Sequence, residues 1–552
     1  MLKIFSMAKQ LFRNPIFIFS IILAIGIFFR LFNIWDNITF GYDQARDAQR
    51  ILDITTFKNF KLLGQESDIP GVFHGVFTYY LLAPIYLIGG FNPNFPAVFL
   101  SMINLSGVFL LYLASIVILK SRKAGLISGF FWALSYEQAN FSRFISNVSA
   151  LSISTTILFL GLAIFIFKKK DWGLIISVVG FALSVHFNFS QIYLILVYPL
   201  LFFIFRPKLN KKIIIYCFFI LLLLLSSFIL AELKYDFNTT KSLISYLQYH
   251  RGGFDFFGNG SRYVSRVSET IYFSFLTLNK TIAFLSFVII SIFGLRLIKN
   301  KKISIFFCIW LFSNVPLFFF NSGVLETQIV NASFFAPFTL LVAYCLSRID
   351  IKRKFYLAIF IISLLVVASS NINLFYRDNF KDIRILSTQN ITLGDEKKLI
   401  DYTYQSSKGR EFSICALTNP LYVNILCSYL YNWYGKNKYG YTPYWSGQEQ
   451  INTTNNLFYD KGHVSQRYII MEPSIGIGGY AKKVFIYMED NTSTLDEEKK
   501  FGDLIVQKRT LNTDLSKFTD SQKLSPTDIK SIKSIIKDNP RFTCYTTYTK
   551  SI

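Results

Sequence analysis

Long apolar runs alternate with short polar connections over most of the chain. Eleven of these runs approach the ~20 residues that a helix needs to cross the apolar core of a bilayer. Several are short, so we expect the helix ends to deviate from the limits of the runs. The pattern predicts about eleven transmembrane helices, at approximately 15–35, 95–119, 124–139, 148–167, 171–187, 190–205, 212–231, 271–298, 303–321, 332–347 and 354–371.

Composition agrees with this pattern. Of the 552 residues, 52% are hydrophobic and 16% are charged, which excludes an ordinary soluble chain and indicates a polytopic α-helical membrane protein. The net charge of +24 would favour nucleic-acid binding in a soluble protein. Here the Lys and Arg residues gather in short clusters between apolar runs, and such clusters orient transmembrane helices. We therefore expect a multi-pass protein of the cell membrane and no nucleic-acid partner.

The basic clusters predict which connections face outward. All of them fall on the cytoplasmic side if the apolar stretch 76–91, which contains Pro84, is an interfacial juxtamembrane helix and does not cross. The first run, Asn14–Trp35, follows a basic start and lacks a small-residue cleavage site, so we interpret it as an uncleaved signal anchor. The predicted extracytoplasmic segments are then 36–94, 140–147, 186–189, 232–270, 322–331 and the chain from 375 onward.

The last third of the chain differs in character. Short β-type runs at 411–416, 467–472, 483–488 and 503–508 alternate with polar helical segments at Leu421–Trp433 and Ser525–Lys537. This pattern predicts a soluble α/β domain at 375–552, behind a membrane domain at 1–374. An oxidising exterior would allow Cys415 to pair with Cys427, but their spacing does not decide the pairing.

A polar segment directly behind the first run carries the first candidate chemistry. Asp43 and Asp47 are four residues apart, which places both carboxylates on one face if the segment is helical. Arg46 and Arg50 lie one turn away. The residues alone leave two interpretations open, an acidic catalytic pair or two salt-bridged surface acids.

Several motifs together resemble a known family. The Asp43 segment is followed by Phe73-His74-Gly75, then by Tyr136-Glu137-Gln138 with Arg143, and later by His186-Phe187-Asn188, each near a predicted outward helix end. This ordered set resembles membrane glycosyltransferases of the GT-C fold, in the branch of protein O-mannosyltransferases and lipid A aminoarabinose transferases. The likeness covers most of residues 15–370. It implies transfer of a sugar from a polyprenyl-phosphate donor to an extracytoplasmic lipid, glycan or protein hydroxyl.

The resemblance also implies roles for individual residues. Asp43, with Asp47 beside it, would take the proton from the acceptor hydroxyl, and Glu137 would assist. The leaving phosphate needs positive charge, from an arginine or from a divalent metal held by Glu137 and a histidine, and the sequence leaves both open. The remaining candidates are Arg143, Arg251, Arg262 and Arg266 for the phosphate, His74 and His186 as metal ligands, and His74, Tyr79, His186 and Asn188 as substrate-lining residues.

Other function classes remain open at this stage. A transporter or flippase would carry ionisable residues in the middle of its helices, whereas here the predicted spans are almost free of charge at their centres. A lipid-linked glycan polymerase or ligase is the nearest rival enzyme, and a non-catalytic membrane scaffold would need no acids at successive outward ends. Glycosyl transfer is therefore the favoured interpretation.

Overall fold

The structure, a computed structural model, is mainly helical and falls into two compact units. Unit 1 comprises residues within 1–34, 54–87 and 94–382, and unit 2 comprises residues within 35–53, 88–93 and 383–552. The described residues are 14–249, 255–319, 327–380, 391–418, 423–446, 456–460, 464–473, 479–512, 525–526 and 529–530.

Most of the described residues lie in α-helices joined by short turns. In chain order these are α1 Pro15–Leu31, α2 Tyr42–Thr55, α3 Phe77–Ile88, α4 Asn94–Leu105, α5 Gly107–Ala114, α6 Arg122–Leu134, α7 Tyr136–Arg143, α8 Leu151–Lys168, α9 Trp172–Phe187, α10 Val197–Phe205, α11 Lys211–Leu224, α12 Ser226–Lys234, α13 Asn238–Tyr249, α14 Phe256–Ser274, α15 Lys280–Leu297, α16 Lys301–Leu311, α17 Thr327–Ser347, α18 Lys354–Arg377, α19 Leu393–Ser407, α20 Ile425–Leu430, α21 Lys436–Tyr439 and α22 Gly479–Thr492.

Several helices of unit 1 have the length and composition of membrane spans. Among the described residues there are five such helices, or six if the bent pair α11 and α12 is one span. The apolar helices α1, α3 and α9 and the segment Phe189–Phe205 are shorter. The predicted helical membrane architecture is confirmed, while the count of eleven spans stays a prediction. The five longer helices are Asn94–Leu119, Asn147–Lys168, Lys280–Leu297, Thr327–Ser347 and Lys354–Arg377.

Polar caps and basic residues together mark the start of several apolar helices. Asn210 accepts a hydrogen bond from the Lys212 backbone, and Asn300 does the same for Lys302. These lysines stand in the first helical turn, where the helix dipole disfavours a cation. Their position is therefore not explained by helix stability, and it agrees with a role in orienting the chain across the membrane.

Helices α8 and α9 form a hairpin whose backbones approach unusually closely. A Cβ atom on Gly161 would lie 2.4 Å from the Ser177 backbone nitrogen, and one on Gly180 would lie 2.5 Å from the Leu158 nitrogen. Only glycine fits at such distances. Small residues of this kind drive helix association in membranes, where apolar burial against lipid supplies little energy.

Two predicted segments of unit 1 differ from the structure. The run 124–139 is not one span, because α6 ends at Leu134 and the polar helix α7 begins after Ser135. The exterior segment 232–270 is not a loop where it is described, because α13 and most of α14 lie within it. Polar residues on one face of α14 weakened the apolar signal on which the prediction relied.

Unit 2 is built around a mixed five-stranded sheet with helices α19 to α22. Unit 1 has the two-stranded sheet β1 Leu63–Glu66 and β2 Phe73–Gly75, and the strands of unit 2 are β3 Ser413–Leu417, β4 Tyr444–Trp445, β5 Gln466–Met471, β6 Ser493–Phe501 and β7 Leu504–Leu511. The strand order in unit 2 is β4–β3–β5–β7–β6, with β3 parallel to β4 and β5, and β7 antiparallel to β5 and β6. The predicted α/β character of the tail is confirmed.

One prediction for the tail is wrong, and one cysteine pairing that the sequence left open is excluded. The run 483–488 is helical, because Val484, Phe485, Tyr487 and Met488 are buried at the spacing of one helix face of α22. Cys427 is a free thiol, so it does not pair with Cys415, which is disulfide-bonded. The helical segment predicted at 525–537 lies mostly outside the described residues.

A buried carboxyl lies in unit 2, against an apolar cavity. Glu396, in the first turn of α19, is 5% exposed, and its Oε2 atom has no hydrogen-bond partner among the described residues. Burial raises the pKa of Glu396 well above its ordinary value, and the carboxyls of Glu472 and Asp395 raise it further. Both effects favour the neutral form of the carboxyl. The cavity is lined by Glu396, Leu399, Ile400, Leu426, Cys427, Leu430, Tyr431, Ile470, Glu472 and Leu504.

Candidate active site

The predicted acidic pair lies on α2, in unit 2. The segment is helical and buries Ala45, Ala48 and Ile51 on one face. Arg46 lies between the two carboxylates, 2.7 Å from Asp43 and 3.0 Å from Asp47. The ion pairs that the sequence left open as an alternative are therefore present.

The two acids of α2 differ in accessibility. The Asp43 side chain is 48% exposed and that of Asp47 is 17% exposed. Arg50 is a more distant partner of Asp47, at 4.0 Å. Of the two, Asp43 is the more accessible to solvent.

Helix α7 is the most polar helix within the apolar part of unit 1, and it is entirely buried. All eight of its residues, Tyr-Glu-Gln-Ala-Asn-Phe-Ser-Arg, are buried. Glu137 lies in the first turn, where the helix dipole favours a carboxylate, and Arg143 lies in the last, where it favours a cation. Because unpaired polar groups are costly in a low-dielectric interior, such a helix requires partners on every side.

The Glu137 carboxylate, at the start of α7, is bonded by a serine of α14 that is itself bonded by a second serine. Its Oε2 atom accepts a hydrogen bond of 3.1 Å from the Ser274 hydroxyl at the end of α14. The Ser135 hydroxyl, which caps α7, is 3.1 Å from the same Ser274. Ser274 thus connects the candidate helper acid to α14, and no motif in the sequence distinguishes this serine.

Arg143 is 1% exposed, and its guanidinium donates a hydrogen bond of 3.0 Å to the Asn33 carbonyl. The sequence placed Arg143 at an outward helix exit, as an accessible phosphate ligand. It is instead embedded at the end of a buried helix. Its role in phosphate binding stays a prediction that its burial does not favour.

Helix α14 presents a polar face that contains the other two candidate arginines. Asn259, Arg262, Arg266, Thr270 and Ser274 recur at intervals of three or four residues, so they share one side of the helix. Arg262 and Arg266 lie roughly 18 and 12 Å along the helix from Ser274, at 1.5 Å per residue. The third loop arginine, Arg251, lies outside the described residues.

The two arginines of α14 differ in their partners. Arg266 forms an ion pair of 2.9 Å with Glu269. Arg262 donates to the Gly258 carbonyl and to the Asn259 side chain, both neutral, and no described carboxylate pairs with it. Arg262 is therefore a half-buried cation whose charge no described carboxylate of unit 1 neutralises.

Glu269 joins α14 to two further helices. Its carboxylate accepts hydrogen bonds from Arg266, from Lys280 at 2.8 Å and from Thr327 at 2.8 Å. Partial burial tends to raise the pKa of Glu269, but these hydrogen bonds outweigh it and lower the pKa to about 2. This cluster fixes α14, α15 and α17 together and neutralises Arg266.

Three of the four predicted substrate-lining residues form hydrogen bonds that connect or cap helical segments. His186 donates from Nε2 to the Leu224 carbonyl at 2.7 Å, where α11 and α12 meet at a bend of 52°. Asn188 caps the 3₁₀ turn after α9, and His74 accepts a hydrogen bond of 3.1 Å from the Phe189 backbone. Tyr79 is 2% exposed. Their substrate-lining role stays a prediction.

The residues predicted as metal ligands do not gather into one site. Glu137 contacts Ser274, and the Nε2 atom of His186 is engaged by the Leu224 carbonyl. Within the described ranges, no group of three or more His, Cys, Asp or Glu side chains could hold a metal ion. We therefore derive no step through a metal.

No family model matches this chain, and no curated protein matches it. Its fold is similar to that of ArnT from Cupriavidus metallidurans in the apo state, with a TM-score of 0.55 and 9% identity, covering 89% of this chain and 97% of that chain. ArnT bound to undecaprenyl phosphate gives the same TM-score and coverage at 10% identity.

A second solved structure has a lower similarity. It is the archaeal oligosaccharyltransferase AglB from Archaeoglobus fulgidus, in complex with an inhibitory peptide and a dolichol-phosphate, with a TM-score of 0.45 and 15% identity. The match covers 66% of this chain and 56% of that chain, so this chain spans just over half of its length. The similarity to ArnT confirms the GT-C fold that the sequence resemblance predicted, at the level of the fold.

Proposed function

We propose that this membrane protein is a glycosyltransferase that transfers a sugar from a polyprenyl-phosphate donor to an extracytoplasmic lipid, glycan or protein hydroxyl. The observation that carries the proposal is the fully buried polar helix α7 within an apolar helical unit that has the fold of ArnT. Ionisable groups inside such a unit are costly and mark functional sites by default. A structure of ArnT holds undecaprenyl phosphate, the type of carrier that the proposal requires.

In the proposed reaction, Asp43 accepts the proton of the acceptor hydroxyl. The hydroxyl oxygen forms a bond to the anomeric carbon, and the bond from that carbon to the phosphate oxygen breaks with inversion. The electron pair leaves with the polyprenyl phosphate. The 48% exposure of Asp43 supports this assignment, and Arg46, 2.7 Å away, holds the carboxylate in place. Asp47 would act through the same arginine.

Arg262 is the best supported residue for the donor phosphate. A phosphate is bound most strongly by a cation that gives up no existing ion pair, and the described partners of Arg262 are neutral. Arg266 is neutralised by Glu269, and Arg143 is almost fully buried. The guanidinium of Arg262 would take the two phosphate oxygens in a bidentate contact.

Glu137 is proposed to orient the acceptor. Its carboxylate is held by Ser274 and lies at the N-terminus of α7, so its position is fixed without a mobile partner. This arrangement supports preorganisation, which stabilises developing charge without reorganisation during the reaction.

One observation favours a second candidate, a transporter or flippase for a lipid-linked sugar. Helices α11 and α12 form a broken pair, a feature that transporters use at substrate sites. The freed carbonyl of Leu224 is, however, already bonded to His186. Glycosyl transfer therefore remains the better supported function.

The proposal is tested with purified protein in liposomes that contain a panel of polyprenyl-phosphate sugars and membrane extract as the acceptor. Mass spectrometry should detect the release of polyprenyl phosphate and the glycosylated acceptor. Loss of one charge-assisted contact costs about 1.5–3 kcal/mol. We therefore expect the donor KM to rise at least tenfold in Arg262→Gln, while the matched variant Arg266→Gln changes it little. Movement of intact donor across the bilayer without cleavage would favour the transporter.

A further inference from the structure

Arg30, near the end of α1, is the only charged residue of that helix and is fully buried. Its guanidinium uses all five of its N–H donors. Two of the hydrogen bonds go to the Asn104 side-chain oxygen, at 2.8 and 3.2 Å, and one, at 3.3 Å, goes to the Gly26 carbonyl of its own helix. The other two go to the carbonyls of Trp132 and Ala133, at 3.1 and 2.9 Å. Among the described residues, no carboxylate pairs with Arg30.

The two carbonyls on α6 show what this cation stabilises. Trp132 and Ala133 lie in the last turn of α6, where carbonyls lack helical partners and carry the negative end of the helix dipole. Ser135 then ends α6 and caps α7 at the same time. Arg30 therefore donates hydrogen bonds to the carbonyls that lack helical partners at the end of α6, where α7 begins.

A chain of side-chain hydrogen bonds leads from Arg30 into α7. Because Arg30 can only donate, the Asn104 oxygen must face it, and the Asn104 amide nitrogen then donates to Gln138 at 3.0 Å. The Gln138 amide nitrogen donates in turn to Asn331 on α17, also at 3.0 Å. The donor-only guanidinium thus sets the orientation of each amide along the chain, and Gln138 is the neighbour of Glu137.

We infer that Arg30 is a positioning residue that fixes α7, and with it Glu137, through the end of α6 and through Asn104 and Gln138. The importance of this role for sugar transfer rests on the proposed function. Arg30 itself contacts no substrate in this scheme. Removing it would leave two buried carbonyls and one amide without their donor, and the interior would have to rearrange at the junction of α6 and α7.

The inference is tested with Arg30→Met, which keeps the length of the side chain but has no donor, and with Arg30→Lys, which keeps the charge. A displacement of about 1 Å in a catalytic group can cost roughly 100-fold in rate. We expect kcat in Arg30→Met to fall about 10- to 100-fold per folded molecule, with the donor KM unchanged. Arg30→Lys should recover part of the loss, because an ammonium still satisfies carbonyls at the end of α6.

The matched control is Ser121→Ala, which removes the cap at the other end of α6. It should leave kcat unchanged. If Arg30 acts through Gln138, the double variant Arg30→Met with Gln138→Leu should be no slower than the slower single variant. Additive losses, or a rise in donor KM with normal kcat, would overturn the inference.

Hydrogen exchange provides a readout that does not depend on activity. Backbone exchange over residues 136–143 should increase in Arg30→Met and not in Ser121→Ala. Unchanged exchange in Arg30→Met would refute the positioning role even if sugar transfer is confirmed. Increased exchange in a protein without transferase activity would refute the proposed function and leave the positioning role intact.

Discussion

Helices α7 and α18 of unit 1 reverse the arrangement found in soluble proteins. Helix α7 is polar, carries Glu137 and Arg143, and is buried along its whole length. Helix α18 has 24 residues, is mainly apolar and is mostly exposed, with Ile362 57% and Leu365 60% accessible. An exposed apolar helix is expected where the surrounding solvent is lipid. In this unit, ionisable residues therefore lie at buried positions on α7, whereas the outer surface of α18 is mainly apolar.

The largest loss of rate should come from a substitution of Asp43, which lies on α2 and so outside the comparison of α7 with α18. Asp43→Asn removes the proposed general base, which typically costs about 10²–10⁴-fold in rate. Stability should change little, since the side chain is half-exposed. Initial rates with a saturating donor, together with a thermal melt, measure both effects. Asp53→Asn at the end of the same helix is the matched control and should retain the wild-type rate; normal turnover in Asp43→Asn would remove it as the base.

A smaller loss of rate is expected from a substitution on α7 itself. Glu137→Gln keeps an oxygen that can accept from Ser274 but loses the charge. We expect a fall of about tenfold to 100-fold in kcat, because preorganised charge is lost while the fold is retained. Ser142→Ala, which removes a hydroxyl bonded to the Ala139 carbonyl on the same helix, should alter the rate less than about twofold. Equal rates in wild type and Glu137→Gln would show that polarity on α7 serves packing alone.

On the exposed helix α18, adding a charge should lower the stability of the protein in the membrane. Ile362→Lys places a charge near the middle of α18 and should cost about 2.5–3.5 kcal/mol on membrane-insertion scales. Leu365→Ala at a neighbouring exposed site should cost less than about 0.5 kcal/mol. Glycosylation-based insertion assays and melts in lipid nanodiscs report these differences. Tolerance of Ile362→Lys would mean that α18 faces water or a partner chain instead of lipid.

The smallest effect concerns pH and the buried carboxyl of unit 2. The pKa of Glu396 is raised well above 4.5 in the folded protein, so above pH 4.5 the unfolded chain releases a proton that the folded chain keeps. This difference lowers stability as the pH rises. Glu396→Gln should therefore gain stability relative to wild type as the pH rises above 4.5, measured by melts of the full chain. A stability difference that does not change with pH would mean that Glu396 ionises normally when folded.

The sequence predicted the helical membrane unit, the tail sheet and the helix around Asp43 because each has a clear hydrophobic period. It failed at 483–488, where β-type residues stand at helical spacing. It also merged α6 and α7 into one run, because the carbonyls before the break at Ser135 are bonded by Arg30, more than a hundred residues earlier. Such long-range hydrogen bonds leave no local pattern in a single sequence.

The candidate site was predicted less completely than the fold. Residue type and position make Asp43, Glu137 and Arg262 candidates and indicate Arg46 as a partner of Asp43. They do not predict Ser274 and Asn259, the hydrogen-bond partners of Glu137 and Arg262. Arg30 could have been noticed as a lone charge in an apolar run. The neutralisation of Arg266 depends on Lys280 and Thr327 from other helices, and spacing along one helix cannot reveal it.

The close approach of α8 and α9 has a consequence for tracing distant relatives of this chain. Where identity to a protein of the same fold is 9–10%, few positions can anchor an alignment. Gly161 and Gly180 lie where a single methyl group would overlap a neighbouring backbone, so substitution there requires the hairpin to separate. We expect these two sites to act as fixed markers of register, from which the numbering of α7 and its glutamate can be carried into sequences too divergent for ordinary comparison.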